Sequence, residues 1–238
     1  MPDQALFKTL IAEMSDLAIP EDAANVTRFF KTGAGEYGAG DQFLGIRVPV
    51  LRQLAKRYIA LPIEDVWQML RSPVHEQRML ALFIAILHFD KGTEKERKAI
   101  YNYYMRHIVY VNNWDLVDCS AAPIAGRYLL DKSRQPLIKF AKSPMLWERR
   151  VSVIATFHFI KHNDYDDTLR IAQILLNDNE DLIHKAVGWM LREIGNRNPV
   201  IEEAFLQTHY QKMPRTMLRY AIEKFPKARR QAYLKGKI

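Results

Sequence analysis

The segment Arg78-Met-Leu-Ala-Leu-Phe-Ile-Ala-Ile-Leu87 decides the fold, because it joins a helical apolar pattern to a basic residue that recurs along the chain. Its large apolar residues follow the i, i+3, i+4, i+7 spacing of an amphipathic helix. The segments 51–58 and 66–70 repeat this spacing, and no segment alternates with the period of a strand. The sequence therefore predicts an all-α protein.

A basic residue at the start of an apolar run recurs at a regular interval. Four such segments begin at Arg78, Arg150, Lys185 and Arg219. The intervals are 72, 35 and 34 residues, so the repeat unit is near 35 residues and one copy is unmarked. That copy falls near Trp114-Asp-Leu-Val-Asp118. Helix pairs of this length predict a HEAT-like superhelix, an α-solenoid that curves around a concave surface.

Size and charge suggest one domain with a polyanionic partner. With 238 residues, 48% of them hydrophobic, and no linker, the chain predicts a single HEAT-like domain over residues 1–238. The last 38 residues carry nine Lys/Arg and three Glu, which is +6 of the net charge of +8. The basic residues at the repeat positions therefore predict a basic concave face for nucleic acid, and the alternative is that they only begin helices on a solvated surface.

Several features suggest a soluble protein of the cytoplasm, associated with the nucleoid. The N-terminal segment lacks the basic and apolar regions of a signal peptide. The longest apolar stretch, 80–89, is about half of a bilayer span, so we expect no membrane association. The single cysteine, Cys119, agrees with a reducing compartment, and its apolar surroundings predict a core residue rather than a nucleophile.

Two motifs suggest ligand chemistry only weakly. The segment Gly33–Gly40 contains G-x-G-x-x-G, but no strand precedes it, so a dinucleotide site is not expected. Its glycines indicate either a loop for close backbone approach to a ligand or a plain helix connection. His158 and His162 have the i, i+4 spacing of metal ligands, yet histidine near a helix C-terminus is favoured without metal, and we expect no metal site.

The segment Trp114-Asp-Leu-Val-Asp118 is the most informative in the chain. Asn112 or Asn113 makes a plausible helix N-cap, and Asp115 suits the positive end of the helix dipole. Asp118 lies i+4 from Trp114 and therefore on the same helix face. Partial burial of the Asp118 carboxylate beside an indole costs free energy unless a cation or a hydrogen-bond donor binds it. Trp189 stands in an equivalent helix, although burial is the usual fate of either tryptophan.

Four segments together resemble the AlkD-like DNA alkylation repair proteins. They are Phe43-Leu-Gly-Ile-Arg-Val-Pro49, Trp114-Asp-Leu-Val-Asp118, Trp147-Glu-Arg-Arg150 and Lys185-Ala-Val-Gly-Trp-Met-Leu-Arg-Glu193. The resemblance implies a HEAT-like superhelix whose basic concave face cradles duplex DNA. It also implies hydrolysis of the N-glycosidic bond of cationic N3- and N7-alkylated purines, without cofactor or metal and with the damaged base left stacked in the helix.

The resemblance also implies site residues. The catalytic aspartate of the family falls on Asp118, and the two tryptophans that contact the deoxyribose fall on Trp114 and Trp189. The phosphate-holding arginine falls on Arg150, and the aromatic near the DNA falls on Phe29 or Tyr37. From the repeat itself we expect Arg78, Lys185 and Arg219 to meet phosphates as well. One departure is Asn113, where the prototype has the first tryptophan of a doublet.

Together these observations predict a monomeric DNA glycosylase, acting on double-stranded DNA that contains alkylated purines. The alternative from a different class is a non-catalytic HEAT-repeat scaffold that binds nucleic acid or protein. A third possibility is an inactive family member that recognises distorted DNA.

Overall fold

The computed structural model describes residues 4–238, and within that range the chain forms helices and no strand. Gln42 and Val74 form an isolated parallel β-bridge. The α-helices are α1 Gln4–Asp16, α2 Pro20–Phe29, α3 Val48–Arg57, α4 Ile63–Leu70, α5 His75–Lys91, α6 Glu94–Arg106, α7 Trp114–Ala121, α8 Arg127–Leu129, α9 Gln135–Ala141, α10 Leu146–Ala155, α11 Phe157–Ile160, α12 Asp166–Ile174, α13 Asp181–Gly195, α14 Pro199–His209, α15 Arg215–Ala221 and α16 Lys227–Leu234. The prediction of an all-α repeat fold is confirmed.

Shorter helical segments complete the secondary structure. The segments 108–110 and 222–224 are 3₁₀-helical, and α7 continues into a π-helical segment at Ala122–Gly126. None of the helices in the described range has the length and apolar character needed to cross a bilayer.

Local sequence signals explain where many helices begin. Pro20 and Pro199 are the first residues of α2 and α14, where a missing N–H costs nothing. Thr93 and Glu96 form a reciprocal capping box at the start of α6. The Asn198 side chain accepts a bond from the Ile201 N–H at 3.3 Å and so caps α14. These helix starts are fixed by the local sequence.

The residue contacts divide the chain into two compact units, and the first runs to Ser120. Its centre is α5, which α3 and α4 both contact. α5 buries apolar residues on more than one face, among them Leu80, Leu82 and Ile84. At one end of this unit Trp67 stacks on Tyr103 with 4.1 Å between ring centroids.

The second unit covers Ala121–Ile238 and is organised around α13. α10, α14 and α15 all pack against this helix. α15 lies so close to α13 that a Cβ added at Gly188 would collide with the Met217 carbonyl and the Tyr220 side chain. The single domain over residues 1–238 stays a prediction.

The repeat read from the sequence corresponds to a fixed register within helices. Arg150, Lys185 and Arg219 are each the fifth residue of their helix, in α10, α13 and α15. Arg78 is the fourth residue of α5. Asp118 is the fifth residue of α7, so it holds the helix position that carries a cation in α10, α13 and α15, although the 35-residue interval itself falls nearer Trp114.

Candidate functional site

Helix α7 begins as the sequence predicts. The Asn113 side chain accepts a bond from the Trp114 N–H at 2.9 Å, and its backbone carbonyl accepts from the Val117 N–H. Asp115 Oδ1 accepts from the Leu116 N–H at 2.8 Å. The helix-start roles predicted for these two residues are confirmed, and they fix the orientation of the first turn of α7.

Asp118 and Trp114 are both half-buried and stand one helical turn apart on α7. The Trp114 indole stacks on Phe30 at 5.6 Å with an interplanar angle of 23°, and it meets Phe29 edge-on at 5.6 Å. Phe29 is 65% exposed, although exposure of so large an apolar ring is costly. The structure thus brings the predicted Phe29 and Trp114 together at the surface, while Tyr37 is half-buried in the connection between α2 and α3.

A buried histidine beneath these rings was missed by the sequence analysis. His75 is 2% exposed, and its Nε2 lies 2.8 Å from Asp115 Oδ2. Burial lowers the pKa of His75, but the hydrogen bond to Asp115 and the Asp41 carboxylate, 3.5 Å from Nδ1, outweigh it, so the pKa is raised from 6.5. Asp115 is therefore more than a helix-start residue, since it also binds an imidazole that favours the charged form.

Asp41 completes this buried group from the connection between α2 and α3. Its Oδ2 lies 2.6 Å from Arg78 Nη2 and 3.5 Å from His75 Nδ1, and its Oδ1 accepts from Asn112 Nδ2 at 3.3 Å. Burial opposes ionisation of Asp41, but His75 and Arg78 hold its pKa below the usual value. No local sequence motif predicts this group, because its members come from three separate segments of the chain.

A cleft of about 380 Å³ opens beside the cluster. Phe29, Phe30 and Phe43 supply aromatic walls, and His75 and Asp115 supply polar atoms. Aromatic walls with a few convergent polar groups are typical of ligand-binding clefts.

Contacts within the protein explain two glycines of the connection between α2 and α3, Gly38 and Gly45, whereas Gly35 and Gly40 have positive φ and nothing within 4 Å of an added Cβ. Gly45 has φ +76°, and a Cβ there would collide with the Ile19 carbonyl. The N–H groups of Gly45 and Leu44 donate to the Glu76 carboxylate at 2.7 and 3.0 Å. A Cβ at Gly38 would lie 2.6 Å from the Phe30 carbonyl. At Gly38 and Gly45 the chain approaches itself closely, which favours a structural role for these two glycines.

In the second unit, Trp189 is half-buried on α13. Its Nε1 donates to Glu193 Oε1 at 3.3 Å, and its ring lies 6.0 Å from Phe157. Lys185, one turn earlier, forms an i, i+4 ion pair with Asp181 at 2.7 Å and keeps a 39% exposed side chain. Arg219 on α15 is exposed. Both cations are accessible from solvent, as a phosphate contact requires.

The other two arginines of the repeat are almost inaccessible. Arg78 is 3% exposed and is held by Asp41 and by the Ser72 carbonyl at 2.9 Å. Arg150 is 4% exposed and donates to the Leu182 carbonyl. Both guanidinium groups bind atoms inside the protein, and their contact with DNA phosphate stays a prediction.

The remaining candidates have no reactive character. Cys119 is half-buried and not the core residue that the sequence predicts. Burial still raises the pKa of its thiol, which disfavours a nucleophilic thiolate. His158 and His162 have ring centroids 4.7 Å apart, and burial lowers the pKa of His158 to about 4. Within residues 4–238, no three His, Cys, Asp or Glu side chains are grouped closely enough to hold a metal ion.

Comparison with known proteins places this fold in a family. Two solved structures share it: a predicted DNA alkylation repair enzyme from Enterococcus faecalis, with TM-score 0.69 and 20% identity over 88% of this chain and 97% of that one, and AlkD2 from Streptococcus mutans, with TM-score 0.54 and 17% identity over 93% and 99%. A search of curated proteins finds no significant match. The family model of the DNA alkylation repair enzymes matches residues 10–225. The chain therefore belongs to the family of DNA alkylation repair enzymes, and its role lies in the repair of alkylated DNA.

Proposed function

We propose that the protein is a DNA glycosylase that hydrolyses the N-glycosidic bond of cationic N3- and N7-alkylated purines in duplex DNA. The observation that carries the proposal is the pair Trp114 and Asp118, an indole and a carboxylate half-buried one turn apart on a helix whose first turn is fixed. The family assignment supports alkylated DNA as the substrate class.

The chemistry explains why so few groups suffice. An N3- or N7-alkylated purine already carries positive charge, so it departs as a neutral base without the general acid that glycoside hydrolysis normally needs. Positive charge then grows on the deoxyribose. The Asp118 carboxylate stabilises that charge and orients the attacking water, and the faces of Trp114 and Trp189 add cation–π attraction.

The protein supplies groups of the right kind for holding the duplex. Lys185 and Arg219 offer accessible cations to backbone phosphates. Phe29 offers an exposed aromatic ring in contact with Trp114. Phosphate contacts position a protein on DNA without reading sequence, which suits an enzyme that must find a lesion in any sequence context.

The test is release of 7-methylguanine from a methylated duplex under single-turnover conditions, with enzyme in excess. The proposal expects release by the wild-type protein in the presence of a chelator. If no base is released while the duplex is still bound, the protein is a scaffold or an inactive family member that recognises distorted DNA.

A further inference from the structure

The aromatic cluster beneath Trp114 contains one buried titratable side chain, His75. Its ring lies 4.9 Å from Phe30 and 4.8 Å from Phe43 between centroids. Phe30 stacks in turn on Trp114. Phe30 therefore contacts both rings, the imidazole at an interplanar angle of 34° and the indole at 23°. Because these side chains pack closely, a change in the position of His75 is passed through Phe30 to Trp114.

Charged groups from three segments meet at this ring. Asp115 approaches Nε2 from the start of α7, Asp41 approaches Nδ1 from the α2–α3 connection, and Arg78 on α5 binds the same Asp41 oxygen. The neighbouring Glu76 is directed to backbone N–H groups of that connection instead. Phe30, directly after α2, and Phe43, after Asp41, contribute their rings. Asp22 of α2 and Arg47 line the same cleft and pair with each other at 3.1 Å, so their charges offset one another.

The charges of this group sum to zero only when His75 is protonated; its members are Asp41, His75, Arg78 and Asp115. With an imidazolium, the carboxylates of Asp41 and Asp115 face two cations, His75 and Arg78. With a neutral imidazole, one negative charge remains uncompensated among side chains that are only 3 to 13% exposed. Uncompensated charge at such depth is strongly unfavourable, so loss of the proton loosens the contact between the connection and α7.

We propose that His75 is a positioning residue of the glycosylase site, which as an imidazolium clamps Asp41 to Asp115 and so fixes Trp114 and the first turn of the helix that carries Asp118. The inference rests on the proposed function for its effect on catalysis. The clamp on Trp114 is independent of that function and is measured separately.

The upward pKa shift gives the sign of the pH dependence. A histidine whose pKa is higher in the folded state stabilises that state fully below its unfolded pKa of 6.5. The contribution is lost as pH rises through the higher folded pKa. The order of Trp114 should follow the same course.

The first measurement is a pH titration of protein labelled with 5-fluorotryptophan, observed by ¹⁹F NMR between about pH 5.5 and about pH 8.5. Substitution of Trp114 by Phe assigns its resonance among those of the four tryptophans. The Trp114 resonance should titrate with a midpoint above 6.5 in the wild-type protein. This measurement needs no histidine variant, so it stands even if substitution of His75 prevents folding.

The second measurement compares His75→Gln with a matched variant, His107→Gln, in the same unit. The His107 ring stacks on Tyr103, with 3.8 Å between ring centroids, whereas His75 contacts Phe30 and Phe43. His75→Gln should abolish the titration of Trp114 and lower the single-turnover excision rate about 10-fold, since displacement of a positioned group by a fraction of an ångström has effects of this order. In the wild-type protein the excision rate should decline above neutral pH, as His75 loses its proton. In His75→Gln this decline should be absent, and His107→Gln should behave as wild type.

Two results would overturn the clamp: a Trp114 resonance that does not move with pH in the wild-type protein, or a titration that persists in His75→Gln. A wild-type protein that releases no base but shows the titration overturns the glycosylase proposal and still supports the clamp. The two failures are therefore distinguishable.

Discussion

At the scale of single residues, the central prediction concerns Asp118. Asp118→Asn keeps the size of the side chain and removes its charge, so helix content and duplex affinity should be unchanged. The single-turnover excision rate of 7-methylguanine should fall about 100-fold or more, as when one preorganised electrostatic group is lost. Excision at the unmodified rate would contradict the carboxylate mechanism.

The control for this substitution must be chosen with the structure in view. Asp115 is unsuitable, although the sequence suggests only a helix-start role, because it also binds His75. Asp131 is a better match, since its side chain is 80% exposed and pairs with its neighbour Lys132. Asp131→Asn should excise at the wild-type rate.

Arg150 separates a structural from a DNA-binding role. Arg150→Ala leaves the part-buried Leu182 carbonyl without this donor, which should lower the free energy of unfolding by about 1 to 3 kcal/mol in urea denaturation. If stability is instead unchanged and affinity for modified and unmodified duplex falls equally, Arg150 contacts phosphate. Arg78, buried against Asp41, should resemble the structural case.

At the scale of helices, the contact between α13 and α15 depends on Gly188. Gly188→Ala improves helix propensity by about 1 kcal/mol, but its methyl group meets the Met217 carbonyl, and overpacking of this kind costs about 1 to 3 kcal/mol. The urea midpoint should therefore fall. A rise in the urea midpoint would mean that α13 and α15 move apart enough to accommodate the methyl group at little cost.

Helix positions could be predicted from the sequence and the charged cluster could not, for a physical reason. The signals for a helix start, such as Pro199 or Asn198, act within one turn of the chain. The group around His75 joins residues 41, 75 and 115, whose proximity depends on how separate helices pack. Nor does the sequence distinguish buried Arg150 from exposed Arg219, because both hold the same position in the repeat.

At the scale of the whole molecule, net charge should govern affinity for DNA. The charge of +8 favours binding through phosphates. With about five phosphates neutralised, the logarithm of the binding constant should fall with a slope of roughly −4 to −5 against the logarithm of salt concentration. Fluorescence anisotropy of a labelled duplex over a range of salt concentrations gives this slope, and a slope near zero would contradict an electrostatic interface.

Substitution of one exposed cation refines this measurement. Arg219→Gln should reduce the magnitude of the slope by about 1 and weaken binding to every duplex equally. Lys161→Gln, which removes another accessible cation outside the repeat positions, is the matched comparison. An equal effect of both substitutions would mean that total charge matters and the repeat positions do not.

The fifth position of the helices has a consequence for how this activity is gained and lost. At Lys185 and Arg219 the side chain in that position is accessible to solvent, so there it can vary without redesign of the scaffold, whereas at the buried Arg150 it cannot. In α7 this position holds Asp118 instead of a cation. A side chain suited to binding an anion is thereby replaced by one suited to stabilising a cation. Catalytic and purely DNA-binding descendants of one such scaffold should therefore differ in chemistry by a single codon while their folds remain superimposable.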